Sequence, residues 1–328
     1  MSAIAMVTGG CGFIGWHLVQ QLVARGWQVR VVDPAPLPQT IDGVTHMATN
    51  LADADSLAAA AQGARWVFHL AAITHLWQRD PRCYAHVNVA GTSTLLSCLA
   101  RSRPEAVVHT STEVILRGWN DPDPSAIAED QPLPPLTAMA GPYTRSKWRA
   151  EQLARAAAAA GVPVRIVYPT IPVGPGDRGL TPPSKMLADL IAAPPPAYLP
   201  CLFNMAPVAD VAAAHLLAAE HGRTGDRFLL GGSHLSFEQV MDLVAPYTAK
   251  PMPRRQLPYW LANSVARLAG GVAAATGQPP VASLEGVRLV KYARRIDSSH
   301  AKTRLGWRAG PVEPALCAAL TDGSPETG

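Results

Sequence analysis

Tyr143 and Lys147 stand four residues apart in Tyr-Thr-Arg-Ser-Lys, a spacing that puts both side chains on one face of a helix. An ammonium beside a phenol lowers the phenol pKa from its ordinary value of about 10, so such a pair can exchange a proton near neutral pH. The same lysine can bind a ribose. Tyr-x-x-x-Lys also arises by chance in many helices, so the pair needs companions. One lies in Val107-Val108-His109-Thr110-Ser111-Thr112, a β-branched run ending in hydroxyls. A hydroxyl at the C-terminal edge of a parallel strand faces the ligand crevice. There Thr112, or Ser111 as its substitute, can hold a substrate oxygen while Tyr143 moves the proton.

The third companion is Thr8-Gly9-Gly10-Cys11-Gly12-Phe13-Ile14-Gly15, which follows an apolar run. Gly9, Gly12 and Gly15 allow a tight strand-to-helix turn whose backbone N–H groups can approach a pyrophosphate. A second apolar run ends at Asp33. An acid about 20 residues past such a turn grips the adenosine ribose hydroxyls. The Asp33 carboxylate would repel a 2′-phosphate, and Pro34-Ala35-Pro36 supplies no arginine to accept one. These residues favour NAD over NADP.

Strands are expected at residues 4–7, 28–32, 66–70, 106–109 and 164–167, all continuous apolar runs of the kind buried on both faces. Helices are expected between them, at 12–25, 56–61, 82–100 and 143–160. That alternation predicts an α/β fold with a doubly wound parallel sheet. Prolines punctuate the chain after Pro169. Beyond it a strand is expected at 227–230 and helices at 184–192, 208–220, 237–245, 259–275, 283–292 and 313–320. Residues 1–170, with a return segment at about 206–232, would form the nucleotide-binding domain. Residues 171–328 would form a smaller, mainly helical substrate-binding region, and 321–328 a disordered tail.

With 328 residues the chain can bury one or two cores without staples. The charge excess, 28 − 24 = +4, is small and scattered, which argues against a nucleic-acid partner. The start carries no signal-peptide pattern. The longest uncharged apolar stretch, 268–284, is interrupted by Gly270, Gly271, Gly277, Pro279 and Pro280, so no membrane span is expected. Five cysteines without a C-x-x-C pair read as free thiols in the cytoplasm, with no metal site. Residues 259–275 hold one basic residue, Arg267, on a broadly apolar surface. Such a stretch covers a lipophilic pocket, touches a membrane surface, or forms a buried or dimer face.

Together TGGCGFIG, the Asp33 strand end, VFHLAA (67–72), NVAGT (88–92), YTRSK and Pro169-Thr170 resemble the extended short-chain dehydrogenase/reductase family, also called the NAD-dependent epimerase/dehydratase family. The resemblance covers residues 3 to about 230 and implies a Rossmann domain. His75–Pro81, 169–177 and 204–212 are similar to the dihydroflavonol-reductase and hopanoid-associated epimerase branch. PYWLA (258–262), VRLVKY (287–292) and the closing 297–307 motif are similar to 3β-hydroxysteroid dehydrogenases and sterol C4-decarboxylating relatives.

By that resemblance Tyr143 is the general acid/base, Lys147 its pKa modulator and ribose ligand, and Thr112 the carbonyl-polarising hydroxyl. Gly9, Gly12, Phe13 and Ile14 would line the pyrophosphate, and Asn50-Leu51 the adenine. Leu70, Ala71 and Ala72 would flank the cofactor, and Pro169-Thr170 the nicotinamide. Thr112 stands where the family usually has Ser, and Asn50 where it more often has Asp. Glu113-Val114 replaces the Asp-Glu of sugar-nucleotide dehydratases, which disfavours dehydration. A homodimer through the 82–100 and 143–160 helices is the family habit. Of the remaining residues, His75 and Trp77 are candidates to face substrate, and His109 reads as a hydrogen-bonded core histidine. Arg145 is expected in solvent, and Asp210 as a structural acid. Asp177-Arg178 reads as a pocket-closing loop or a surface pair. The expected activity interconverts a secondary alcohol and a ketone on a hydrophobic ring substrate, with decarboxylation where a β-carboxylate is present. An NAD-dependent sugar epimerase and a non-catalytic NAD-binding sensor are the alternatives.

Overall fold

The computed structural model describes residues 2–322. Its centre is a seven-stranded, all-parallel sheet of β1 (Ile4–Thr8), β2 (Gln28–Val32), β3 (Val44–Met47), β4 (Trp66–His69), β5 (Ala106–Thr110), β6 (Val164–Pro169) and β10 (Arg227–Leu230). The order is β10-β6-β5-β4-β1-β2-β3. The chain builds outward from β1 to β3, then returns to start again at β4 on the other side. The crevice beyond the carboxyl ends of β1 and β4 is therefore the place where such sheets take a ligand.

Both faces of the sheet are covered. Ala5 and Val7 pack with Leu18 and Leu22 of α1 (Phe13–Ala24) and Val211 and Leu216 of α7 (Val208–His221). Met6 points the other way, with Val67 and Val107, into Leu57 of α2 (Ala54–Ala61), Leu95 and Leu99 of α4 (Thr92–Ser102) and Ala154 of α5 (Pro142–Ala159). Alternate residues of one strand thus fill two cores, which is why these strands read as unbroken apolar runs. Each fully buried leucine among them contributes about 1.5–3 kcal/mol.

A third core lies beyond β6. A small sheet of β7 (Ile171–Val173), β9 (Leu202–Pro207) and β11 (Ser233–Ser236) packs against α6 (Pro182–Ala192), α8 (Phe237–Val244) and α12 (Val312–Asp322) through Leu187, Leu190, Val240 and Leu316. β8 (Ala197–Tyr198) pairs with β12 (Arg255–Gln256), and α9 (Tyr259–Thr276) leads to α10 (Leu284–Lys291). α11 (Ser299–Leu305) returns to the main domain, where Ala301 and Leu305 join the α7 core. The expected tail at 321–328 lies outside the described residues except for Thr321 and Asp322, which end α12.

The helix expected at 82–100 is interrupted. One turn, α3 (Arg82–Tyr84), runs into a seven-residue π-helical stretch (Ala85–Gly91) before α4 begins. Such wide turns often occur at functional sites. Here the stretch carries Asn88, whose Oδ1 accepts from Ile73 N and whose Nδ2 donates to Ile73 O (2.8 and 3.0 Å).

Candidate active site

β1 hands over to α1 through the glycine turn, and each glycine has a separate reason. Gly9 has φ +72°, and a Cβ there would sit 2.6 Å from Ala71 N. A Cβ on Gly15 would lie 2.1 Å from Gly9 O, so the helix could not start so close to the strand. Gly12 is the N-cap, and its Cβ position meets only Gly9 O, at 3.2 Å. The space above Gly12 is thus outside the protein's own packing. No side chain caps α1 and no acid stands in its first turn, leaving the N–H groups at its start open to an anion. Asp33 is buried just past β2. Its Oδ2 accepts from Cys11 N at 3.0 Å and its Oδ1 from Ala35 N at 2.9 Å. That fixes the carboxylate to the turn, and burial together with Asp33 pushes the Cys11 thiol up to about 12.

Behind β4 the polar groups form a closed chain. Thr92 Oγ1 donates to Asn88 O (2.7 Å), so it can only accept from His69 Nε2 (2.8 Å). His69 Nδ1 then accepts from Thr8 Oγ1, also at 2.8 Å. Burial, with the Lys147 charge nearby, holds this imidazole neutral, its pKa down to about 3. Asn88 Nδ2 continues to Ser146 Oγ, and Ser146 Oγ donates to Tyr143 O, tying the π stretch to α5.

At the end of β5 the hydroxyls divide their work. Thr112 stands beside the Tyr143 phenol, where its hydroxyl favours the ionised form. Ser111 Oγ is turned away and donates to Glu151 Oε2 at 2.6 Å. Glu151, fully buried, also accepts from Tyr168 Oη (2.6 Å) and pairs with Arg155 (2.6 Å). Thr110 Oγ1 meets Nε2 of His215, whose Nδ1 donates to Val211 O. Of the two hydroxyls weighed from the sequence, the one beside Tyr143 is that of Thr112. His109 lies in the core as expected, 5.3 Å from the His69 ring, but neither of its ring nitrogens has a hydrogen-bond partner among the described residues. Its side chain faces the apolar α4–α5 side of the sheet, so the expectation of a hydrogen-bonded histidine fails there.

Lys147 is buried, and Nζ donates to Thr110 O at 2.7 Å. Desolvation lowers its pKa to about 8, with Glu151 opposing. The sequence suggested that this ammonium depresses the Tyr143 phenol. In the structure the phenol is instead held above its ordinary value, chiefly by burial, with Glu285 and Glu113 adding to the rise and Thr112 opposing it. The ammonium is occupied by the β5 carbonyl, and the desolvation of Tyr143 outweighs the rest.

A second finding lay beyond local sequence patterns. α10 braces the start of α5, which has no side-chain cap of its own from Gly141. Glu285 accepts from Tyr143 N (3.1 Å), Thr144 N (2.8 Å) and Thr144 Oγ1 (2.8 Å). Gly141 leaves room for it, since a Cβ there would lie 2.4 Å from Glu285 Oε2. At the other end of α10, buried Arg117 donates to Leu289 O (2.7 Å) while its Nε lies 3.7 Å from Glu113. Arg288 donates to Ala140 O (2.8 Å) and stacks over Trp119. Tyr84 packs its ring 6.5 Å from that of Tyr143 and donates to His75 O.

The remaining expected residues are spread around this centre. Leu70 N and Ala71 N donate to Thr8 O and Thr8 Oγ1, placing Leu70, Ala71 and Ala72 beside the glycine turn. Ile14 packs against the α1 core, and Phe13 lies edge-on to His17. Pro169 is buried opposite Leu230, and Thr170 Oγ1 donates to Leu230 O. Asn50 is exposed and closes its own turn to Ala52 N. Leu51 is a core residue packed on Gly91. Arg145 is exposed, as expected, and Asp210 accepts from Gly310 N. Asp177 accepts from Thr181, Arg178 reaches Pro38 O, and Pro175 O meets His17 Nε2, so this loop crosses from α1 to the segment after β2. All five cysteines are free.

A parallel doubly wound sheet with a glycine turn at β1, an acid past β2 and a Thr–Tyr–Lys group at β5 and α5 defines a nicotinamide-dinucleotide oxidoreductase. Residues 5–231 match the NAD dependent epimerase/dehydratase family, and the chain belongs to it. A Synechocystis sp. protein named as a dihydroflavonol 4-reductase is 32% identical over 98% of this chain and 94% of its own. Sterol demethylase protein B of Methylococcus capsulatus is 29% identical over 92% of each. The crystal structure of gox2253 superposes with a TM-score of 0.80 at 29% identity, covering 98% of both chains. MoeE5 in complex with UDP-glucose and NAD gives 0.73 at 25%, covering 97% of this chain and 98% of that one. NAD is the cofactor of the family, and the residues here fit it. The open space over Gly12 with the uncapped α1 start suits a pyrophosphate, and the buried Asp33 carboxylate suits ribose hydroxyls.

Proposed function

We propose that the enzyme interconverts a secondary alcohol and a ketone on a hydrophobic ring substrate of the sterol or 3β-hydroxysteroid type. NAD, when bound, supplies the hydride acceptor or, reduced, the donor at the carbon bearing the oxygen. Thr112 holds that oxygen. Tyr143 Oη gives it a proton during reduction and takes the proton back during oxidation, and Lys147 binds the ribose. A phenol held above its ordinary pKa is protonated at neutral pH, which suits it to donate. Where a carboxylate stands β to the new ketone, carbon dioxide leaves without a further catalytic group.

The observation that carries the substrate class is the engagement of two arginines beside α10. Arg117 and Arg288 are committed to backbone carbonyls and to Trp119. A nucleotide diphosphate bound beside α10 would need cations that these two do not leave free. The relatives named for sterol and dihydroflavonol chemistry support the same reading. The second reading, epimerisation of a nucleotide sugar, is favoured by the similarity to the UDP-glucose complex. One experiment separates them: denature the purified protein before and after dialysis and measure the released nicotinamide cofactor. Loss of NAD on dialysis, followed by turnover of one or more members of a sterol and ketone panel, supports the dehydrogenase. Near-stoichiometric NAD that survives dialysis, with no turnover of the panel, would replace it by the epimerase.

A further inference from the structure

α9 is built inside out. Its inward residues are small: Ala262, Ala266 and Ala273 are buried. Its large apolar residues point outward, with Trp260 69% exposed, Leu268 74%, Val272 62% and Val265 47%. Val281, in the turn that leads to α10, is fully exposed. At 100° per residue Trp260, Gly271, Ser264, Ala275 and Leu268 share one face, with Val272 and Val265 along one edge and Arg267 along the other, so that face is apolar except for Ser264, whose hydroxyl is turned back to Trp260 O. Scattered exposed apolar residues are ordinary, but four large ones on the outer side of one helix mark a contact surface.

The charges along this segment of the sequence are equally one-sided. Residues 243–284 contain no aspartate or glutamate but hold Lys250, Arg254, Arg255 and Arg267. The rest of the chain therefore carries 28 − 4 = 24 cations against 24 acids, so the whole formal excess of +4 falls on this one segment. Arg254, Arg255 and Arg267 are exposed. A second copy of the same face would set these cations against each other. An exposed apolar helix face in a segment whose own charges are all cations complements a surface that is apolar below and negative above.

We propose that the outer face of α9 docks the enzyme on an anionic lipid bilayer, lying in the plane of the interface. Among the described residues no helix is long and apolar enough to cross a membrane. The 18 residues of α9 extend about 27 Å along the surface, and the exposed apolar side chains on its outer face are what an interface would take up. The docking also has a direction. The α9 C-cap, Gly277, lies against Arg79, and Gly286 of α10 lies against Leu76. Both belong to the loop that carries His75 and Trp77. Attachment through α9 would bring the substrate side of the crevice close to the lipid. The docking itself does not depend on the proposed substrate.

The test is co-sedimentation of the purified full-length enzyme with vesicles of phosphatidylcholine alone and of phosphatidylcholine mixed with phosphatidylglycerol, in the absence of substrate. The mixed vesicles should capture the protein at low salt and release it at high salt. Removing three cations together (Arg254→Gln, Arg255→Gln, Arg267→Gln) should weaken capture about a hundredfold. Trp260→Ser with Leu268→Gln should abolish it while leaving NAD binding and thermal melting unchanged, since both residues point outward. Equal behaviour of the two vesicle types, or undiminished capture of the double variant, would overturn the proposal. So would failure of both vesicle types to bind a protein whose solution dimer the double variant dissociates, because α9 would then be a subunit interface.

Discussion

Glu285 accepts the backbone N–H of Tyr143 at 3.1 Å across 142 residues of chain. The side chain proposed to transfer the proton is therefore positioned by a carboxylate from the C-terminal third, which binds the first turn of α5 where an acid also complements the helix dipole. Glu285→Gln keeps the shape but removes the charge and turns an amide against an N–H group. Charge-assisted bonds of this kind are worth about 1.5–3 kcal/mol, so urea denaturation should show a loss of that size. The Glu285 charge also raises the Tyr143 pKa. Its removal should move the Tyr143 limb of the pH–kcat profile to lower pH, and an unmoved limb would leave Glu285 a purely structural role.

Tyr143→Phe should lower kcat by about 10²–10⁴ with NAD affinity unchanged. Thr112→Ser keeps the hydroxyl and should retain most activity, whereas Thr112→Ala should not. Ser111→Ala acts on another partner, leaving buried Glu151 short of a donor. It should cost about 1–3 kcal/mol of stability with little effect on the chemical step. A loss of turnover in Ser111→Ala that matched Thr112→Ala would reverse the assignment.

Two glycines of one turn should fail differently. Gly15→Ala places a methyl 2.1 Å from Gly9 O and should destabilise the fold itself, lowering the melting temperature. Gly12→Ala meets only Gly9 O at 3.2 Å. That variant should fold close to normally but bind NAD at least tenfold more weakly in a fluorescence titration, because its methyl takes the space of the pyrophosphate.

Burial keeps His69, His109 and His215 neutral, with His69 lowered to about 3 and His215 to about 4. Their folded pKa values lie below the unfolded value, so the unfolded chain binds more protons as pH falls through 6.5. Stability is fully present above that pH and declines toward pH 4, by about 1.4 kcal/mol per pH unit for each histidine once the unfolded form is protonated. The raised carboxyls of Glu285, Glu113 and Glu129 act in the opposite sense. The difference between proteins is therefore the measurement. The urea midpoint of His215→Asn should fall less than that of the wild type between pH 7 and pH 5, and parallel curves would refute the assignment.

The glycine turn, Asp33 and the parallel strands were legible because each depends on residues adjacent in sequence. β1 reads as buried on both faces from Ala5, Met6 and Val7 alone. Thr112 is expected beside Tyr143 from the family resemblance alone; what no local pattern shows is that Ser111 is diverted by Glu151, forty residues away. β9 was missed because Asn204 and Pro207 break its apolar pattern. Asn204 serves instead to bond Gly232 on both its N–H and its carbonyl. The π stretch was invisible for a similar reason, since it answers to the bonds of Asn88 with Ile73. Glu285 carried the signal of a first-turn acid and nothing more. Its partner lies on another helix, which no local period reveals.

The brace from α10 to α5 has a consequence for inheritance. The portion of the chain expected to vary with substrate also carries the group that positions Tyr143. A graft that exchanged the C-terminal third for a relative's could bring a new pocket and lose the alignment of Tyr143 in the same stroke. Diversification of such an enzyme would then have to proceed around a fixed Gly141–Glu285 contact, and its specificity and its competence would be inherited together.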